Sequence, residues 1–394
     1  MLREVNLQRL ERTVAPHLRR GWTRAVFAAP QGDGSGPAPT TAEQVLPGPG
    51  AGVPPTPEQL AALFLAARSA ANAGLVKHTY VIDETRRVQI DARQGRPSVR
   101  TLDEAAARKV MGGKERVLRP DTSADLLRAI GIMNADGSIS ASHARKYKQV
   151  NHLAKLCRPT WERLAAARPR TPETPLRALD LACGNAYLSF VLAEVLRRES
   201  VPLRLHGVDV REDVVTRSRE RAATLGMDHL SFARASIAEA EASAAGALGG
   251  PPDLVLALHA CDTATDEALA LAIRLGAPAV LCVPCCQHEL AAQLEKRDPA
   301  TAPVPAMLEH GLLRHAYADL LTDGLRVEIL AACGYEVTVV EFVSSEHTAK
   351  NILLRAHRRH PYAPVDRKYW RLGPVAERCE RLGVSPDLLR RLSA

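Results

Sequence analysis

Apolar positions change their spacing near residue 176. Beyond that point short apolar runs alternate with stretches of helical period, the pattern of a parallel sheet whose strands are joined by crossover helices. Strands are expected at Arg177–Ala182, Leu203–Val210, Leu230–Ala235, Asp253–Leu258 and Ala279–Val283, then at Tyr335–Val343 and Lys350–Ala356. Helices are expected between them at Tyr187–Arg198, Arg211–Leu225, Thr263–Leu275 and Gln287–Leu294, with a helical pair over Pro305–Cys333. Seven strands so arranged place this half of the chain in the α/β class.

The first half reads differently. Residues 5–29 predict a short helix and then an apolar run around Ala25–Ala29. Residues 31–57 are dense in Gly, Pro, Ala and Thr, which cannot bury a core, so they read as a flexible segment. A helix is expected at Pro57–Ala71, and Leu75–Ile90 carries enough β-branched residues for two strands of a small sheet. Asp121–Met133 reads as a helix with Asp121, Thr122 and Ser123 as candidate caps, and Asn134–Gly137 as a turn. A long helix over Ser142–Leu164 opens with Arg145, Lys146 and Lys148. The expected organisation is an α+β N-terminal domain at 1–140, a linking helix at 141–170, an α/β domain at 171–356 and a helical tail at 357–394.

Charge sharpens this division. Residues 1–170 carry 27 Lys and Arg against 15 Asp and Glu, residues 171–356 carry 16 against 25, and residues 357–394 carry 9 against 4. An acidic middle flanked by basic ends points to a polyanion held by the flanks, with RNA the first candidate. Solubility is the plainer explanation of the same charges. The hydrophobic content of 46% suffices for a sizeable core, although aromatic residues supply only 4% of the chain. No signal peptide and no apolar stretch long enough to span a bilayer is apparent, so a cytoplasmic protein is expected. The eight cysteines are scattered, as in a reducing compartment. Cys282 and Cys285 have C-x-x-C spacing, but no second pair answers them, and no metal site is expected.

The first strand of the α/β half ends in Asp180-Leu-Ala182-Cys183-Gly184-Asn185-Ala186, immediately before a helix. Small residues there let the backbone pass close to a ligand, and the free amides of the helix start face it. The second strand ends in Asp209, 25 positions beyond Gly184, a place suited to bonding two ribose hydroxyls. On the turn alone, a nucleotide-binding or non-binding domain of similar fold remains open.

Asp180–Phe190, His206–Asp213, Asp253–Asp266, Ala279–Leu290 and Thr348–Arg355 together resemble the class I methyltransferase-domain family. Its relatives include eukaryotic methyltransferase-like proteins and a ribose-methylating tRNA enzyme. The strings LHACDTATDEAL, VPCCQHEL and TAKNILLRA, with KYKQVNHL ahead of the domain, resemble a bacterial branch of it. The resemblance covers about half the chain. It implies a Rossmann-like seven-stranded sheet whose last strand runs antiparallel, S-adenosyl-L-methionine as cofactor, and methyl transfer. Cofactor contacts are then expected from Asp180, Ala182, Cys183, Gly184, Asn185, Ala186 and Asp209, from Ser236 and Ile237 after the third strand, and from Leu258 and His259 after the fourth. Asp180 would approach the methionyl ammonium.

Two departures from the family's pattern bear on this. Alanines stand at 182 and 186 where the family has glycine, so α- or β-region backbone is expected at both. The Asp/Asn-Pro-Pro-aromatic string of amino-nitrogen methyltransferases is absent after the fourth strand. For the transfer step the candidates are His259, as general base or pocket wall, and Cys285 and His288 after the fifth strand. Cys285 is either a nucleophile toward a pyrimidine ring or part of the pocket wall. Asp262 and Thr263 are expected to cap the following helix, and Asp266 to answer its dipole. Lys148 could meet the cofactor carboxylate or sit on a solvated helix face. Lys350 and Asn351 either reach over the substrate or merely start a strand. The reading is methylation of a tRNA or rRNA. The alternatives are a protein or small-molecule methyltransferase, and a catalytically silent, cofactor-binding subunit that lends RNA affinity.

Overall fold

The computed structural model describes residues 10–29, 43–83, 86–93, 97–101, 111, 116–258, 260–284, 287–302, 304–341 and 352–393. The chain forms two compact units, Met1–Tyr147 and Lys148–Ala394.

The first unit is built on a five-stranded antiparallel sheet of order β2-β1-β3-β4-β5. Its strands are β1 (Arg24–Ala28), β2 (Glu43–Pro47), β3 (Lys77–Val81), β4 (Arg86–Asp91) and β5 (Pro97–Thr101). The inner strands bury Ala25, Phe27, Tyr80, Val88 and Ile90 against α1 (Pro57–Asn72), which presents Leu63, Phe64 and Ala67. α1 starts on a capping box: the Thr56 hydroxyl accepts from the Gln59 amide, and the Gln59 side chain accepts from the Thr56 amide. β2 corrects the expectation of a flexible segment over Glu43–Pro47; residues 31–42 of that segment lie outside the described residues. As an edge strand it buries almost nothing, so it needs no apolar run, and the free edge of β1 supplies its hydrogen bonds. The helix expected over Asp121–Met133 is the shorter α2 (Ala124–Ala129), and Ser123 stands at its N-cap without a side-chain cap bond. α3 (Ala141–Ala167) then carries the chain into the second unit.

The second unit contains the seven-stranded sheet. Its strands are β6 (Leu176–Leu181), β7 (Leu203–Asp209), β8 (Leu230–Arg234), β9 (Leu254–Ala257), β10 (Ala279–Cys282), β11 (Tyr335–Glu341) and β12 (Ile352–Arg358). Their order is β11-β12-β10-β9-β6-β7-β8, and β12 lies antiparallel between β10 and β11. The antiparallel last strand expected from the resemblance is therefore present. The helices are α4 (Tyr187–Arg198), α5 (Glu212–Thr224), α6 (Ala240–Leu248), α7 (Thr263–Arg274), α8 (Glu289–Glu295), α9 (Ala306–Glu309), α10 (Gly311–Ala332), α11 (Gly373–Leu382) and α12 (Asp387–Ser393). α6 has no counterpart in the sequence pattern, because its run of Ala and Gly carries little amphipathic contrast.

One core runs under β6, β7, β9 and β10 and includes Val375, Cys379, Leu388 and Leu392 of α11 and α12. The C-terminal helices are thus packed into the sheet domain. No described helix is long and apolar enough to cross a membrane.

Candidate active site

The four inner parallel strands end on the same edge of the sheet, and the loops leaving that edge gather most of the expected residues. β6 delivers Asp180, which is buried and accepts a 2.5 Å hydrogen bond from the Ser189 hydroxyl on α4. Burial raises its pKa to about 7; the Ser189 bond opposes that shift, and the neighbouring Asp209 carboxylate adds to it. β7 delivers Asp209. One of its oxygens accepts from the Gly184 amide at 2.9 Å, and the other from the amide and Nε of Arg211, at 3.0 and 3.2 Å. Asp209 thereby ties the loop after β6 to the end of β7.

That loop is wound tightly. Ala182, Gly184 and Ala186 have φ of 52°, 55° and 52°. Both alanines are therefore left-handed, which overturns the expected α- or β-region backbone. The turn must reverse a strand into a helix within a few residues, and its geometry prevails over the steric preference of alanine. Cys183 faces inward, buried beside Gly207; a Cβ at that glycine would lie 3.3 Å from its sulfur and 2.6 Å from the Phe232 ring. The carbonyl of Asn185 accepts from Arg221 of α5 at 2.9 Å. The same guanidinium lies over the rings of Tyr187 and Phe190, so Arg221 holds the loop from outside.

α4 begins at Ala186 with no side-chain cap. A helix start favours an anionic group, and the Asp180 and Asp209 carboxyls stand beside this one, Asp180 with its pKa raised by burial. This donor set suits a ligand with a carboxylate, an ammonium and a ribose, as in S-adenosylmethionine.

Ser236 bonds Glu239 through its amide (2.9 Å) and hydroxyl (2.7 Å), which starts the turn into α6. Ile237 is buried in the sheet core and Leu258 is half-buried just beyond β9. His259, Cys285, Lys350 and Asn351 lie outside the described residues. His288 is exposed at the start of α8, where its amide rather than its ring makes the visible bond. Cys282 is buried within β10.

That bond corrects the role expected for Asp262. Its carboxylate does not cap α7, the helix it precedes. It accepts instead from the amides of His288 (2.8 Å) and Glu289 (3.2 Å), at the start of α8. Asp262 adopts φ 52° and ψ −127° to reach them. Asp266 is likewise more than a dipole partner: it is buried and receives Arg326 of α10 at 2.9 and 2.8 Å. Arg326 also donates to the Asp262 carbonyl at 3.1 Å and to Asp323 at 3.2 Å, and Asp323 accepts from Gln287 at 2.6 Å. Burial would lower the Arg326 pKa, but the Asp266 carboxylate holds it above the ordinary value. One buried guanidinium therefore joins the loop after β9 to the loop after β10. No motif marks these contacts, because Arg326 lies 60 and 64 residues from Asp266 and Asp262, and Gln287 lies 36 from Asp323.

Residues 145–293 match a family described as a methyltransferase domain. Over 152 residues the chain is 28% identical to a Mus musculus glutathione S-transferase C-terminal domain-containing protein, which covers 38% of this chain and 20% of that protein. The match thus spans about a fifth of that relative. Among solved structures the chain is similar to an rRNA methylase from Streptococcus thermophilus: 12% identity, 54% of this chain and 95% of that one, TM-score 0.31. It is also similar to a SAM-dependent methyltransferase from Aquifex aeolicus: 18% identity, 50% of this chain and 87% of that one, TM-score 0.27. Scores this low carry no weight for the substrate. Residues 145–293 thus match a methyltransferase-domain family, on a sheet of this order with acidic residues ending β6 and β7.

Proposed function

We propose that the protein transfers a methyl group from S-adenosylmethionine to an RNA, with tRNA or rRNA as the target. The observation that carries the transferase reading is that Asp180, held by Ser189, and the bonded pair Gly184 and Asp209 lie at one edge of the sheet. When bound, the cofactor supplies an electrophilic methyl on a sulfonium. Asp180 would hold the ammonium, the amides at the start of α4 the carboxylate, and Asp209 the ribose hydroxyls. Such a reaction needs an acceptor placed in line and one proton removed. His259, Cys285 and His288 follow β9 and β10 in sequence and are the candidates for those tasks. The buried Arg326 network would hold the loops that carry them.

The RNA reading is supported by the uneven charge of the chain, basic at both ends and acidic between. Mass spectrometry of nucleosides from a deletion strain tests it. Loss of one methylated nucleoside, restored by the wild-type gene and not by Asp209→Ala, is expected. An unchanged nucleoside set would move the assignment to a protein or small-molecule acceptor.

A further inference from the structure

β12 runs antiparallel to β10, with Cys282 opposite Leu354 and Ala279 opposite His357. The chain after β12 therefore emerges at the amino ends of the parallel strands, the edge opposite Gly184 and Asp209. It stays there: the Arg358 amide bonds Pro278, the Arg359 amide bonds Gly334, and the Arg371 amide bonds Ala332. Strands of four to seven residues, at about 3.3 Å each, separate the two edges by roughly 13–23 Å.

The side chains on this segment divide into two sets. Arg358 is committed to structure, donating to the carbonyls of Ala363 (2.6 Å) and Pro364 (3.0 Å). Tyr362 is clamped by Arg168 over its ring at 4.6 Å and by Arg170 on its hydroxyl at 2.8 Å. Both arginines are anchored by the buried Asp253. Beyond them the segment faces solvent. Arg359, Arg367, Lys368 and Arg371 are exposed, and Tyr369 is 72% exposed, its ring beneath the Lys368 ammonium at 4.8 Å. Arg367 lies over the Trp370 ring at 5.5 Å. Lys368 also pairs with Asp366 in solvent, a contact of little energetic weight.

Exposed cations set around one largely exposed aromatic ring, Tyr369, match one chemistry especially well. A single-stranded nucleic acid offers a phosphate for each cation and a base for each ring, whereas a duplex keeps its bases stacked internally. An acidic protein would use the cations but not the exposed tyrosine ring. We infer that residues 359–371 form a platform for single-stranded RNA, on the edge of the sheet remote from the methyl-transfer site. It extends the RNA reading above by giving the substrate a second anchor. A nucleotide held here is not the one methylated. The bound RNA must run round the domain, and the platform acts on affinity rather than on the transfer step.

The probe is a fluorescein-labelled oligouridylate of about twenty nucleotides, longer than one single-strand site. Anisotropy is followed between about 50 and 200 mM salt for the full-length chain. Tyr369→Ala should weaken binding about tenfold, as for loss of one stacked base, while Tyr369→Phe keeps wild-type affinity. Tyr369→Leu, close in size but not aromatic, should behave like the alanine variant and guards against loss of folding. Charge reversal at Arg367 and Arg371 should reduce the log–log salt slope by about 1.4, or 0.7 per phosphate. If the wild type binds RNA but both Tyr369→Ala and Tyr369→Leu stay within about twofold of it, the platform is refuted and the RNA reading stands. If the wild type shows no salt-dependent RNA binding, both fail together. Displacement of the RNA by poly-glutamate as effectively as by unlabelled oligouridylate would refute the stacking role and assign the face to an acidic protein.

Discussion

Replacing Asp180 by Asn should separate the stability of the empty fold from its affinity for cofactor. Asp180 is buried, and its pKa is raised to about 7 from an ordinary 3.8. A group whose pKa is raised on folding favours the fold while it holds its proton. The contribution is full below pH 3.8, declines as pH rises, and is gone above about 7. The shift corresponds to about 4 kcal/mol over that window. Asparagine resembles the protonated acid, so Asp180→Asn should remove this slope and, without cofactor, melt higher than wild type at pH 8. A cationic ligand requires the ionised form. With a pKa near 7, the ionised fraction of Asp180 rises on the order of tenfold between pH 5.5 and 7.0, and cofactor affinity should rise with it. Binding near pH 6 should also release close to one proton. The assays are calorimetric titration with S-adenosylmethionine across this range, in buffers of differing ionisation enthalpy, and thermal melts of both proteins without ligand. Wild-type affinity that stays flat from pH 5.5 to 7.0, or undiminished binding by Asp180→Asn at pH 7, would refute the assignment of Asp180 to the ammonium.

Asp209→Ala should weaken cofactor binding at least about tenfold, because it removes charge-assisted bonds to a ribose and frees the Gly184 amide; equal affinities by calorimetry would sink that role. Ala186→Gly relieves a left-handed alanine at φ 52°, so it should leave stability unchanged or raise it by up to about 1 kcal/mol, whereas an ordinary Ala→Gly exchange lowers it. Denaturant unfolding decides, and a loss above about 1 kcal/mol would contradict the strain. Arg326→Met leaves Asp266 buried without its cation and should cost about 3–5 kcal/mol, or about 10 °C in melting temperature. A change below about 1 kcal/mol would show that the pair does not hold the loops.

The architecture of the second unit was legible in the sequence because the inner parallel strands are largely buried on both faces and so appear as apolar runs, with helical periodicity between. The placing of Asp180, Gly184 and Asp209 at one edge of the sheet was legible for a related reason: strand ends can be counted along the chain. β2 was hidden because an edge strand needs partners more than it needs apolar residues. The left-handed backbone of Ala182 and Ala186 was hidden because the closure of a turn, rather than the preference of its residues, sets their φ. Arg326 with Asp266, and Asp262 with the start of α8, depend on contacts between residues far apart in the chain, which no local pattern encodes. The tertiary structure likewise decided what the basic residues near the C-terminus can do. Their charge is plain in the sequence, but only the antiparallel course of β12 sends them to the edge away from Asp209. Strand direction within a sheet is a property of the whole packing, since it depends on which neighbours the last strand finds already in place.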